Sequence, residues 1–145
     1  MRDLTALAML MGLGAVHSTA TAANDCSIDM YKRADTSLES AASDWGSRLR
    51  HQETFVSCDD GALAEGYSDA VVSLLAHQWD RFDVFVTLSE RRPAFREWAI
   101  RHIEATASIG DLEQVVRNAT RCTGSAKTRV LCGQVGKAAR EALND

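Results

Sequence analysis

One proline stands among 145 residues, and aromatic side chains make up only 6% of the chain. With Pro93 alone to interrupt backbone hydrogen bonding, long stretches are free to be helical, and a polyproline or collagen-like organisation is excluded. No uninterrupted apolar run approaches the about 20 residues that a membrane-spanning helix needs. Repeats, low-complexity tracts and Pro/Gly/Ser linkers are missing, so one domain is expected. Basic side chains are outnumbered, 16 Lys and Arg against 20 Asp and Glu. A net charge of −4 offers no counterion-releasing surface for nucleic acid and little attraction to anionic membranes.

Chemical motifs are equally scarce. Without a CxxC pair or an HxxxH pair, neither a zinc ribbon nor a helical two-histidine metal site is indicated. His102-Ile103-Glu104 matches half of a zinc-deaminase signature, but the Pro-Cys-x-x-Cys half is missing. No Gly-x-Ser-x-Gly elbow supports nucleophilic catalysis. Neither GxGxxG nor GxxxxGK[ST] is present to cradle phosphate, and no CxxCH would attach haem. No cofactor is therefore expected.

What is present is globular in balance, with 46% hydrophobic and 25% charged residues. The start of the chain differs from the rest. After Arg2 and Asp3, Leu4 to Val16 holds only apolar, Gly and Thr residues, and Ala20-Thr21-Ala22 offers the small side chains of a cleavage site. These 13 residues are too few to cross about 30 Å of hydrocarbon at about 1.5 Å each. Residues 1–22 therefore read as a signal peptide and 23–145 as a helical domain, exported to the periplasm or secreted, with no membrane anchor after cleavage.

All four cysteines, Cys26, Cys58, Cys122 and Cys132, follow that segment. An even count in an exported domain predicts two disulfides. Three pairings are open. The short local loop favours Cys122 with Cys132, which would leave Cys26 with Cys58.

Helical periodicity dominates the remainder. Residues 23–34 read as an extended lead-in tied down by Cys26. A first helix is predicted from Thr36, where Thr36-Ser37-Leu38-Glu39 matches a capping box, and Leu38, Ala41, Ala42, Trp45, Leu49 and Val56 share a face. A second is capped by Ser57 or Asp60 and carries the stripe Leu63, Tyr67, Ala70, Val71, Leu74 and Leu75. Beside that stripe, Ala62, Gly66, Ser73 and Ala76 are small enough to admit a close neighbour.

Trp79 to Leu88 alternates as a strand would, but a lone strand leaves its backbone groups unpaired, so helix is preferred. Pro93 opens the next helix, with Phe95, Trp98, Ala99 and His102 on one face. A further helix restarts at Ser108 and carries Leu112, Val115, Val116 and Ala119. A turn at Cys122–Ser125 leads into a last helix over about 127–143. The expected fold is all-α, a single compact bundle of about six short helices stapled by two disulfides.

Few side chains are candidates for chemistry. Asp59 and Asp60 sit where the positive end of a helix dipole favours carboxylates. Glu65 and Asp69, four apart on one helix, form a like-charge pair. They suit acid–base work or a hard cation, or else a solvated outer face. His102 reads as a hydrogen-bonded boundary histidine and His51 as exposed. Arg91, Arg92, Arg96 and Arg101 gather around one helix start, either as a solvated face or as a patch for an acidic partner.

With Cys58-Asp59-Asp60-Gly61, Glu65-Gly66-Tyr67-Ser68-Asp69 and the Phe95/Trp98/His102 helix in view, the chain resembles small exported bacterial helical proteins of unassigned function. In size, export, helicity and cysteine count it is also similar to the periplasmic immunity proteins of type VI secretion amidase effectors. That similarity implies a domain that acts by binding another protein and transfers no site residue. The alternatives are an enzyme or small-ligand binder using Glu65 and Asp69, and a structural envelope component.

Overall fold

The structure is a computed structural model that describes residues 26–145. The expected signal peptide and its cleavage point lie outside them. Among the described residues there are seven α-helices and no strand: α1 (Ile28–Ala41), α2 (Trp45–Phe55), α3 (Gly61–His77), α4 (Phe82–Arg91), α5 (Pro93–Arg101), α6 (Ile109–Thr120) and α7 (Ala126–Ala142). Single 3-10 turns at Val56–Cys58 and Trp79–Arg81 lead into α3 and α4. Two disulfides, Cys26–Cys58 and Cys122–Cys132, staple the bundle. None of the described helices is long and apolar enough to cross a membrane.

The N-terminal third departs from expectation. The lead-in is helical from Ile28, because Ser27 accepts a hydrogen bond from the Met30 amide at 3.2 Å and Asp29 sits in the first turn. Thr36 is no cap. It lies mid-helix and donates to the Lys32 carbonyl at 2.7 Å. The chain then breaks at 42–44, where Asp44 adopts an extended conformation and accepts from the Ser47 amide at 2.9 Å. That bond, with one from the Ser47 hydroxyl, pulls the Asp44 carboxyl below its usual range. One predicted helix is therefore two, α1 and α2, and Val56 is 51% exposed instead of sharing their buried face.

Elsewhere periodicity and structure agree. Asp60 caps α3 with an accepted bond from the Gly61 amide at 2.8 Å, and the stripe Leu63, Tyr67, Ala70, Val71, Leu74 and Leu75 is buried. Of the small residues beside it, Gly66 faces Leu38 of α1 and Ala76 is buried, whereas Ala62 and Ser73 are exposed. The stretch 82–91 is helical as preferred, and Pro93 occupies the first turn of α5.

The core is threaded by an aromatic chain. Trp79 stacks on Phe82 and Trp45 on Phe85, each pair with centroids 4.2 Å apart. Phe95 lies 6.4 Å from Trp45, Trp98 lies 5.7 Å from Phe95, and Tyr67 stands edge-on to Trp98 at 5.3 Å. This run ties α2, α3, α4 and α5 together, and each such contact adds about 0.5–1.5 kcal/mol beyond area burial. The α6–α7 hairpin closes the other side, with Gly136 placed directly against Ala119.

Candidate functional site

Tyr67, near the middle of α3, separates two buried histidine clusters. In the first, His102 follows directly on α5, the 3-10 turn before α3 brings up Asp59, and α3 itself contributes Ser68. Asp59 Oδ2 accepts from the Trp98 indole N–H at 2.7 Å and from His102 Nε2–H at 3.0 Å. An ionised carboxylate has no proton to give, so this contact places a proton on Nε2. On the other side of the ring, Nδ1 lies 3.0 Å from Ser68 Oγ. Ser68 has one hydroxyl proton, with Ala64 O at 3.1 Å, Glu104 Oε1 at 2.5 Å and His102 Nδ1 all in reach.

Burial alone would raise the Asp59 carboxyl. The His102 and Trp98 bonds and the positive charge of Arg101 outweigh it, holding Asp59 below the usual carboxylate range. Its second oxygen, Oδ1, is buried without a hydrogen-bond partner in the protein.

The connectivity Asp59–His102–Ser68 has the order of a catalytic triad, and the geometry denies it that role. Ser68 is 0% exposed, so no substrate carbonyl can reach its Oγ. It also lies well inside α3, where the surrounding backbone N–H groups are committed to the helix and none is free to stabilise an oxyanion. The cluster is a lock. It joins the segment before α3 and α3 itself to the end of α5, across 43 residues between Asp59 and His102.

The second cluster overturns the expectation that His51 is exposed: it is buried. Its Nδ1 meets the Tyr67 hydroxyl at 3.2 Å, and its Nε2 lies 3.0 Å from both Ala34 O and Ser37 Oγ. Desolvation lowers its pKa, the Ala34 bond opposes that, and the nearby Arg48 cation adds to it. Arg48 is itself fully buried, with its guanidinium 5.4 Å above the Tyr67 ring and one hydrogen bond to Leu38 O at 3.2 Å.

No family model, curated protein or solved structure matches the chain. Its chemistry has to be read from its own geometry.

The predicted residues scatter. Asp59 and His102 come together, and Asp60 is spent on capping α3 at the rim of an open cleft of about 580 Å³ beside the Cys26–Cys58 bridge. Glu65 and Asp69 are both exposed on α3. Among the described residues, no group of three or more His, Cys, Asp or Glu side chains is placed to hold a metal ion. Arg92 pairs with Glu53 of α2 at 3.1 Å. Arg96 is half-buried in the wall of a second groove, of about 390 Å³, where α4 and α5 meet the start of α7.

Val86, Ser89, Glu90, Arg96, Lys127 and Val130 line that groove together with Ala126, and Val130 is 63% exposed. Sequence periodicity could not find it, because α7 lies far along the chain from the α4 and α5 residues it faces. Ser68, Tyr67, Arg48 and Glu104 were missed for the same reason. Each looks like an ordinary helix or loop residue until the helices are packed.

Proposed function

We propose that this chain is an exported protein-recognition domain, inhibitor- or immunity-like in role, that engages an acidic partner through the groove between α4, α5 and α7. The groove is the observation that carries the reading. It sets two valines, Val86 and Val130, beside two cations, Arg96 and Lys127, and a single carboxylate, Glu90. Lys127 bonds to Glu90 at 3.1 Å, and Arg96 makes only a 3.9 Å contact with Glu97. An exposed pair this long contributes little, so Arg96 is available to a partner's carboxylate.

Charge distribution supports the same polarity. Residues 26–90 hold twelve acidic and five basic side chains, while residues 91–145 hold six acidic and ten basic ones. The groove takes two of its three helices from the basic half. Such an asymmetry steers an acidic surface toward it and increases the on-rate more than the final affinity.

The two disulfides fit an oxidising compartment, which is where export through residues 1–22 would deliver the chain. Intact mass of the native product tests export directly, since a retained Met1 would refute it. Binding is tested by affinity capture from an envelope extract with the wild type beside Arg96→Glu and Val130→Asp. The reading requires a specific partner that both variants lose while their circular dichroism stays unchanged. Equal recovery by all three would reject the groove as the docking surface.

A further inference from the structure

Ser89 lines the groove between α4, α5 and α7 and is only 3% exposed. Its hydroxyl is buried and has no hydrogen-bond partner among the described residues. A serine or threonine within a helix ordinarily donates to the carbonyl four residues earlier, as Thr87 of the same helix does to Asp83 at 3.0 Å. Ser89 makes no such bond, so its proton is uncommitted. The hydroxyl turns about a single torsion and gives up no bond by turning toward a ligand.

The same groove gathers further donors. Ala126 and Lys127 are the first two residues of α7, which Ser125 caps by accepting from the Thr128 amide at 3.1 Å. Backbone N–H groups at these first positions have no acceptor within their helix. No acidic side chain stands in that first turn, so α7 does not offset the positive end of its own dipole. From α5 comes Arg96, whose contact with Glu97 is 3.9 Å long.

Charge and shape limit what these donors can hold. Glu90 also lines the groove and pairs with Lys127 at 3.1 Å. The excess is then Arg96 and about half a charge from the α7 dipole, which matches one carboxylate. A run of acidic residues would bring its other charges against Glu90. Val86 lies one turn from Ser89 and Glu90 on α4, and Val130 one turn from Ala126 and Lys127 on α7. On each helix the apolar group is thus about 5 Å along the axis from the polar ones.

We propose that this groove receives the C-terminal residue of a partner chain, a free carboxylate on a residue with a branched apolar side chain. The carboxylate accepts from Ser89, Arg96 and the first amides of α7, while the side chain lies against Val86 and Val130. One terminal residue carries both groups on a single carbon, and a chain that ends there need not pass out between the helices. An aspartate or glutamate supplies the charge alone and leaves the valines to a neighbouring residue. The inference rests on the groove being the docking surface, and narrows an acidic partner to a partner's chain end.

Three peptides test it on the disulfide-bonded, isotope-labelled protein by nuclear magnetic resonance. They are acetyl-Gly-Ser-Gly-Val-Leu with a free carboxylate, its C-terminal amide, and acetyl-Gly-Ser-Glu-Val-Gly amide. The free acid should shift the amide signals of Ser89, Ala126 and Lys127, and amidation should weaken binding about tenfold or more. Ser89→Ala should weaken binding of the free acid several-fold while raising the Tm of the ligand-free protein, because it removes an unpaired buried hydroxyl. Equal binding of the terminal amide, or an unchanged affinity in Ser89→Ala, overturns the inference. Preference for the internal glutamate also overturns it, but keeps the groove as a surface for acidic partners. Absence of shifts with all three peptides overturns it as well. The docking reading then stands if partner capture still depends on Arg96, and falls with it if capture does not.

Discussion

The Tyr67 hydroxyl meets Nδ1 of His51 at 3.2 Å, while its ring stands edge-on to His102 with centroids 5.7 Å apart. One side chain thus separates two polar clusters and contacts both. His51 Nε2–H donates a hydrogen bond to the Ala34 carbonyl at 3.0 Å, so Nδ1 of the neutral ring is the acceptor for the phenol O–H.

Removing that hydroxyl should therefore leave a buried acceptor unpaired. Tyr67→Phe is expected to destabilise the domain by about 1–3 kcal/mol, with helix content unchanged. Urea unfolding followed by tryptophan fluorescence reads this directly. A stability equal to wild type would mean that the bond contributes nothing.

His51 also makes stability depend on pH. Its folded-state pKa lies below the ordinary 6.5, so on acidification the unfolded chain takes up the proton first. Stability should be fully present above 6.5 and fall as pH drops through that value toward the folded pKa. Asp59 acts lower. Its folded pKa is below the ordinary 3.8, so its contribution is present above 3.8 and lost as pH falls through the folded value. Urea midpoints of wild type and His51→Gln, measured from about pH 8 to about pH 5, should differ in slope below neutrality. Parallel curves would remove His51 from the account.

The two disulfides should not be equivalent. Cys26–Cys58 closes 32 residues and Cys122–Cys132 closes 10. Loop entropy assigns them about 3.5–4 and about 2.5–3 kcal/mol respectively. Paired Cys→Ser variants, compared by thermal and urea unfolding, should show the larger loss for the first bridge. The reverse order would show that native contacts outweigh chain entropy at these sites.

Two glycines of α7 should respond oppositely to alanine. A methyl at Gly133 meets nothing within 4 Å, so helix propensity alone should stabilise Gly133→Ala by up to about 1 kcal/mol. At Gly136 the new Cβ would stand 2.9 Å from Ala119 Cβ, which has no flexibility to yield. Gly136→Ala should separate α6 from α7 and lose about 1–3 kcal/mol. Matched denaturation curves decide the signs.

Periodicity and cap chemistry were enough to predict the helical class, the stripe on α3 and the Pro93 helix start, and they narrowed the α3 cap to Ser57 or Asp60, of which the structure uses Asp60. They act within a few residues, so a linear string contains them. They failed at 26–44, where local side-chain bonds decided the outcome. Ser27 started a helix early, and Asp44 with Ser47 broke one that apolar spacing alone had joined.

Even counting and a short loop favoured the cysteine pairing, and the packed chain has that pairing. The meeting of Asp59 with His102, the burial of His51 and Arg48, and the groove beside Arg96 follow no spacing rule. Their separations run from 10 residues for Arg48 and Leu38 to 43 for Asp59 and His102, and such contacts exist only once helices choose their neighbours. Helix type was settled by short-range hydrogen bonding and hydrophobic rhythm. Which polar groups became sealed, paired or presented to a partner was settled by how the apolar faces packed, because burial fixes a polar group's partners and its charge.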